Sequence, residues 1–146
     1  MEKDINEKFY PVKKPVIYPW GDKFIPEYVN SKEFWDDEKS GLNIKKIYTR
    51  GPVPVINFEG PGNSPYGLVN MSGNAPEWTS SWYRAYPGNN NADNRYGRQM
   101  KAIRGGAWYS VKYRVRVSSR DIGGVPNIYN DYIAGFRCVK EVKIAK

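Results

Sequence analysis

The chain has 146 residues, the size of one domain, and carries 23 Lys and Arg against 15 Asp and Glu, a formal net charge of +8. It has no histidine and one cysteine, Cys138. That excludes a Ser-His or Cys-His nucleophile pair, a zinc site built on His or clustered Cys, and an internal disulfide, so a small folded binding domain is expected in preference to an enzyme.

The charge is uneven. Residues 1–50 hold ten basic and nine acidic side chains, residues 51–100 three of each, and residues 101–146 ten basic against three acidic. The positive excess sits inside a strand-like pattern and not in a Lys/Arg cluster, which disfavours nucleic acid as the partner. No apolar run approaches membrane-spanning length, so no membrane insertion is expected. The start, MEKDINEKFY, is charged and lacks the apolar stretch of a secretory leader. The expectation is a soluble chain, cytoplasmic or associated with a virion. Gly (14) and Pro (11) are frequent and aromatics reach 15%, which favours short strands joined by many turns.

In chain order, residues 1–16 read as an N-terminal arm, with Pro11 and Pro15 bracketing two lysines, and residues 17–146 as a single domain. Tyr18-Pro19-Trp20-Gly21 is a turn with an aromatic plug. Residues 28–39 suit a short amphipathic helix capped by Asn30 or Ser31, with Asp36, Asp37 and Glu38 on its solvated face. Four prolines and three glycines make Gly51 to Pro65 loop-like. Gly73-Asn74 signals a turn, and residues 87–98, with four Asn and two Gly, suit a polar loop. A strand is predicted from 101 to 109. Over 111–117, Val111, Tyr113, Val115 and Val117 alternate with Lys112, Arg114 and Arg116, which predicts another. Residues 121–134 form a loop, and a last strand is predicted at 135–144.

Four segments in order carry a resemblance: Tyr18 to Gly21 (YPWG), Tyr66 to Ser80 (YGLVNMSGNAPEWTS), Arg104 to Trp108 (RGGAW) and Gly135 to Cys138 (GFRC). Together they resemble the formylglycine-generating, sulfatase-modifying family, over about residues 18–139. The resemblance implies an α+β, C-type-lectin-like fold with a small irregular antiparallel sheet, one or two short helices and long loops. Family enzymes oxidise a substrate cysteine with a pair of copper-binding cysteines. The first would stand where this chain has Ser110. The second would lie in a segment about three residues shorter here, which offers Val, Lys, Tyr and Arg. A hydroxyl does not replace a thiolate as a soft Cu(I) ligand, so no copper is expected. Cys138 sits in the GFRC motif, where a structural role is expected.

The chain also resembles the variable proteins of diversity-generating retroelements, which have this fold without its catalysis. In them, adenine-directed mutagenesis scatters substitutions over a region bounded by motifs like those here, and the corresponding span is 107–137. The resemblance implies a macromolecular or cell-surface ligand, expected to be a protein. The candidate ligand-binding residues are Tyr109, Ser110, Lys112, Arg114, Asp121, Ile122, Asn127, Tyr129, Asn130, Asp131 and Tyr132. The alternative is an oxidase of the formylglycine-generating type, or a structural module derived from it.

Each sharper reading has a plainer rival. The family's calcium site matches Asn70, Gly73, Ala75 and Glu77, a set of oxygen donors that suits a hard cation. The rival is a turn in which Glu77 pairs with an arginine and Asn70 caps a backbone group. Lys112, Arg114, Arg116 and Arg120 are either a charged floor for a ligand or arginines whose stems pack on aromatics, the latter favoured for Arg116 and Arg120. Trp78, Trp82 and Trp108 are expected in the core. Tyr109, Tyr113, Tyr129 and Tyr132 are expected to supply an exposed binding surface, with Tyr113 the most buried of the four. Asp36 and Asp37 are adjacent carboxylates expected on the surface, not an acid/base pair.

Overall fold

A computed structural model describes residues 15–122 and 134–139. The Tyr18–Gly21 turn closes on itself, with Tyr18 N–H donating to Gly21 O (2.8 Å) and Gly21 N–H to Tyr18 O (3.0 Å). Its aromatic plug is real: the Tyr18 ring stacks on Trp20 at 5.3 Å, and Tyr18 packs with Val29 and Val115 in one core cluster. A 3-10 turn at Pro26–Tyr28 leads to helix α1 (Lys32–Asp36). Ser31 caps α1, its Oγ accepting from Phe34 N–H (3.4 Å), so the expected helix exists but is shorter than 28–39. Phe34 is fully buried and meets Trp35 and Phe58 edge to face at 5.2 and 5.0 Å, in a second core cluster completed by Val53. Helix α2 (Leu42–Ile47) and a 3-10 turn (Val55–Phe58) follow.

Three strands form one antiparallel sheet in the order β1 (Glu77–Trp82), β2 (Lys101–Arg104), β3 (Arg120–Ile122). Glu77 faces Arg104 and Trp78 faces Ile103, after which the register shifts before Trp82 meets Lys101. With two short helices and this sheet, the architecture is α+β, as expected. No helix among the described residues is long and apolar enough to cross a membrane.

The segment 72–74 ties these parts together. Gly73 (φ 74°) and Asn74 (φ 65°) both adopt the left-handed conformation, which the Gly-Asn pair tolerates best. A side chain at Gly73 would bring its Cβ to 2.3 Å from Asn30 O. Asn74 then acts as a surrogate strand: Oδ1 accepts from Val53 N–H (2.9 Å) and Nδ2 donates to Val53 O (3.1 Å). Its own backbone accepts from Trp108 N–H and donates to Asn30 O. Asn30, fully buried, donates from Nδ2 to Asn74 Oδ1 (2.8 Å) and Gly51 O (3.0 Å) and accepts from Trp35 Nε1 (2.7 Å).

Several expectations are corrected. The 111–117 segment is a run of turns and not a strand. Of its apolar residues only Val115 is buried, while Val111, Tyr113 and Val117 are exposed. Alternation therefore misled: among the described residues no strand neighbours the segment, the Lys112 and Val115 carbonyls accept from Tyr18 and Ser72 side chains, and those of Val111 and Arg116 close turns. Tyr113, expected to be the most buried of the tyrosines, is 58% exposed. Trp78, Trp82 and Trp108 are half-buried and not central to the core, which is built on Tyr18, Val29, Phe34 and Val115. The strand predicted from 101 ends at Arg104, because the two glycines that follow have positive φ. β1 was not anticipated as a strand. Residues 134–139 form no strand and meet the sheet at a single bridge, Glu77 to Gly135; the rest of the predicted last strand lies outside the described residues.

Replacing Asn74 by Ala leaves the Val53 peptide group buried without its two side-chain partners and takes one of its three partners from the Asn30 amide. Urea unfolding of Asn74→Ala should show a loss of about 3 kcal/mol. Asn30→Ala should give a similar loss, and the two should not add, since they remove one network.

Candidate functional site

β2 delivers the chain to Gly105 (φ 90°) and Gly106 (φ 71°), which turn it out of the sheet. Gly105 O is held by Gly73 N–H (2.7 Å), and Trp108 N–H by Asn74 O (3.0 Å). Ser110 then closes a tight turn: its N–H donates to Ala107 O (2.8 Å) and its Oγ accepts from Ala107 N–H (3.0 Å). The Ser110 hydroxyl thus has a structural partner.

Beyond Ser110 the backbone makes two turn bonds of its own, Arg114 N–H to Val111 O (2.7 Å) and Ser119 N–H to Arg116 O (3.0 Å), and is otherwise held from outside the segment. Ser110 O accepts from Lys32 N–H (3.0 Å), and Glu33 Oε1 accepts from Lys112 N–H (2.8 Å). Tyr18 Oη donates to Lys112 O (3.3 Å), and Ser72 Oγ to Val115 O (2.7 Å). Val117 N–H donates to Ile17 O (2.9 Å). Arg104 Nη1 donates to Ser118 O and Ser119 O (3.2 and 3.0 Å). These partners bind main-chain atoms. The side chains of Tyr109, Val111, Tyr113, Arg114 and Val117 point to solvent.

Between this segment and β3 lies a cleft of about 370 Å³. Its walls include Pro76, Ile103, Gly106, Tyr109, Ser110, Val111, Arg114, Arg120 and Asp121. The candidates Tyr109, Ser110, Arg114 and Asp121 therefore meet in one place. Lys112 does not join them: its Nζ lies 5.2 Å from the Tyr113 ring centroid. Ile122 ends β3. Asn127, Tyr129, Asn130, Asp131 and Tyr132 lie outside the described residues.

Arg114 and Asp121 form an ion pair at 3.6 Å, with side chains 63% and 51% exposed. Arg120 lies over the rings of Tyr86 (3.9 Å), Tyr83 (4.6 Å) and Tyr96 (5.9 Å). Arg116 lies 4.8 Å from the Tyr113 ring. Both arginines pack on aromatics, as favoured. The tyrosine loop that backs Arg120 was missed as part of the site, although its dense tyrosines were a visible signal.

At the 70–77 turn, Glu77 takes a two-pronged bond from Arg137 (Nε to Oε2 2.6 Å, Nη2 to Oε1 2.5 Å). Arg137 Nη2 also reaches Val69 O and Asn70 O (3.2 and 3.4 Å), and the Glu77 carboxylate raises the Arg137 pKa. Asn70 donates from Nδ2 to Val55 O (3.4 Å). The donor chemistry of Asn70, Gly73, Ala75 and Glu77 suits calcium. In this arrangement, however, a guanidinium uses both oxygens of the one carboxylate, so the residues do not fit the ion while Arg137 stays in place. Asp36 is bonded by Lys32 and Arg50, and Asp37 by Lys39 N–H and Ser40; both carboxyls are held below the usual range, Asp36 by its lysine first and Asp37 by its backbone donor first. An acid/base dyad needs one carboxyl raised, and neither is.

A family profile described as the sulfatase-modifying factor enzyme 1-like domain matches residues 13–142. The chain belongs to this formylglycine-generating-enzyme-type family. It is 34% identical over 130 residues to the inactive C-alpha-formylglycine-generating enzyme 2 of Bos taurus, covering 86% of this chain and 38% of that protein. It is 30% identical over 131 residues to the formylglycine-generating enzyme of Bos taurus, covering 86% of this chain and 34% of that protein. A serine/threonine-protein kinase pkn1 of Chlamydia caviae is 32% identical over 112 residues, which are 73% of this chain and 17% of the kinase. The chain thus spans little more than a third of its relatives' length at most of these matches, and the domain occurs both in a protein named as an enzyme and in one named inactive.

The tyrosine loop carries its own titratable clasp. Arg95 binds Asp93 through Nε (2.7 Å) and Nη2 (2.6 Å) and lies over the Tyr83 ring. The side-chain bond from Arg95 lowers the Asp93 pKa from 3.8 to about 2. The depressed value means that the clasp's support is complete above pH 3.8 and fades as pH falls toward 2. A carboxylate-detected NMR titration should place the Asp93 midpoint near 2, and Arg95→Gln should return it toward 3.8.

Proposed function

We propose that this domain is a non-catalytic display module that binds a macromolecular ligand, a protein, through the cleft between residues 103–111 and 119–121. We further infer that it is the variable protein of a diversity-generating retroelement, with residues 107–137 as the diversified span. One observation carries this: the 107–119 backbone is held by Lys32, Glu33, Tyr18, Ser72, Ile17 and Arg104 through main-chain atoms, while Ala107 and Val115 anchor it in the core and the side chains of Tyr109, Val111, Tyr113, Arg114 and Val117 project into solvent. Shape is thereby separated from side-chain identity, which is what a diversified surface requires. The ligand surface in this proposal continues through Ile122, Asn127, Tyr129, Asn130, Asp131 and Tyr132. Ser110, where the family resemblance puts the first thiol, and a relative named as inactive support the absence of catalysis.

The separation has a measurable consequence. Randomising Tyr109, Val111, Tyr113 and Arg114 together should leave most variants folded, each change costing about 0.5 kcal/mol or less by thermal or urea unfolding. Ser72→Ala and Glu33→Ala, which release backbone clamps, should cost about 2 kcal/mol each. If the surface changes prove as costly as the clamps, the display mechanism is wrong. The retroelement assignment has a separate check. The neighbouring DNA should hold a near-copy of the stretch encoding 107–137, differing mainly at adenines, beside a reverse transcriptase gene. The enzymatic alternative is checked by incubating the chain, with copper, with a sulfatase peptide containing cysteine; formylglycine in the product would overturn the proposal.

Calcium enters this proposal as a competitor of Arg137 for Glu77. Calorimetric titration should show calcium binding more tightly to Arg137→Gln than to the wild-type chain, and not at all to Glu77→Ala.

A further inference from the structure

We propose that the ligand segment received by the cleft is an acidic stretch of polypeptide, whose carboxylates are bound by Arg114 and Arg120 with help from the Ser110 hydroxyl. This rests on the cleft being the binding surface.

The donors facing the cleft are unspent. Among the described residues the Arg120 guanidinium makes ring contacts and no hydrogen bond. Three tyrosine rings crowd around it, and among the described residues its N–H groups meet no acceptor. A guanidinium confined in this way loses less entropy when it binds a carboxylate in its fork. Arg114 stands nearby at 63% side-chain exposure, 3.6 Å from Asp121, which is ion-pair distance but too long for a hydrogen bond. Such an exposed pair is weak and yields to a better acceptor. Ser110 Oγ already accepts from Ala107 N–H, so its remaining capacity is to donate. By contrast, the third lining arginine, Arg104, already spends Nη1 on the 118 and 119 carbonyls and Nη2 on the Tyr86 hydroxyl. One guanidinium on tyrosine rings, a second in a loose ion pair, and one hydroxyl against one carboxylate make an acceptor-seeking site.

The same arrangement disfavours a uniformly anionic chain. Asp121 lies on the cleft wall beside Arg114 and repels a repeating phosphate or sulfate. An acidic peptide places discrete carboxylates between neutral backbone and apolar groups, and the cleft has both kinds of wall, Ile103, Val111 and Pro76 beside the arginines.

The test is fluorescence anisotropy at physiological salt with the full chain and three labelled probes: an oligoglutamate peptide interspersed with leucine, its glutamine counterpart, and a heparin oligosaccharide. The glutamate peptide should bind, the glutamine peptide should not, and Arg114→Glu should weaken binding about tenfold or more. Arg120→Lys keeps the charge but removes the planar fork, and should also weaken it. Arg98→Gln, an exposed charge outside the cleft, should leave affinity unchanged. Tight heparin binding without peptide binding overturns the proposal. So does equal loss on Arg98→Gln, or no preference for glutamate over glutamine. Each variant's melting temperature is recorded, and Arg114→Glu, lying on the surface, remains decisive if Arg120→Lys loosens the tyrosine stack. The substitution tolerance of the 107–119 segment is unaffected by any of these outcomes, so failure here is distinguishable from failure of the display proposal.

Discussion

The fold depends on one buried amide. Asn74 occupies a left-handed turn and offers Val53 the reciprocal pair of hydrogen bonds that a neighbouring strand would supply. Its partner Asn30 extends the network to Gly51 and Trp35. With three short strands and two short α-helices among the described residues, few backbone groups there find partners in ladders. Buried polar groups must still be paired. Side-chain amides do so here, and their cost if broken explains why so irregular a chain settles into one arrangement.

The same solution recurs at the candidate site. The 107–119 segment contains no ladder of its own, yet Ser72, Glu33, Tyr18 and Arg104 reach its main-chain atoms from four different parts of the chain. Ser72 and Asn74 are two residues apart, so the central turn anchors the core with one residue and the binding segment with another. A cleft built like this is rigid at its backbone and permissive at its rim. That is the physical basis for the proposal that this surface binds a ligand.

The arginines divide by what holds them. Arg137 locks the 70–77 turn to the C-terminal segment through Glu77, and Arg104 spans consecutive carbonyls. Both are structural. Arg120 and Arg114 contribute to the cleft without spending their hydrogen bonds there. The basic excess of the last third is therefore not one feature but two, and net charge alone does not separate them.

The absence of histidine was legible from residues alone, as were the α+β class, the Gly73-Asn74 turn, a helix cap at Asn30 or Ser31, which the structure assigns to Ser31, and the family. These depend on residue type and short spacing, which the chain states directly. The meeting of Tyr109, Ser110, Arg114 and Asp121 around one cleft agreed with the candidate residues, but its tyrosine-backed wall did not appear, because Tyr83, Tyr86 and Tyr96 come from a loop more than twenty residues away from Arg120 in the chain. The alternation at 111–117 predicted a strand and produced turns. Periodicity reports which side chains share a face only if a neighbouring strand exists to take the backbone, and here Ser72, Tyr18 and Glu33 take it instead. Whether Glu77 faces a calcium ion or Arg137 was likewise a question of tertiary placement: the oxygen donors are written in the sequence, but the cation that meets them is decided by where the chain's last segment comes to lie.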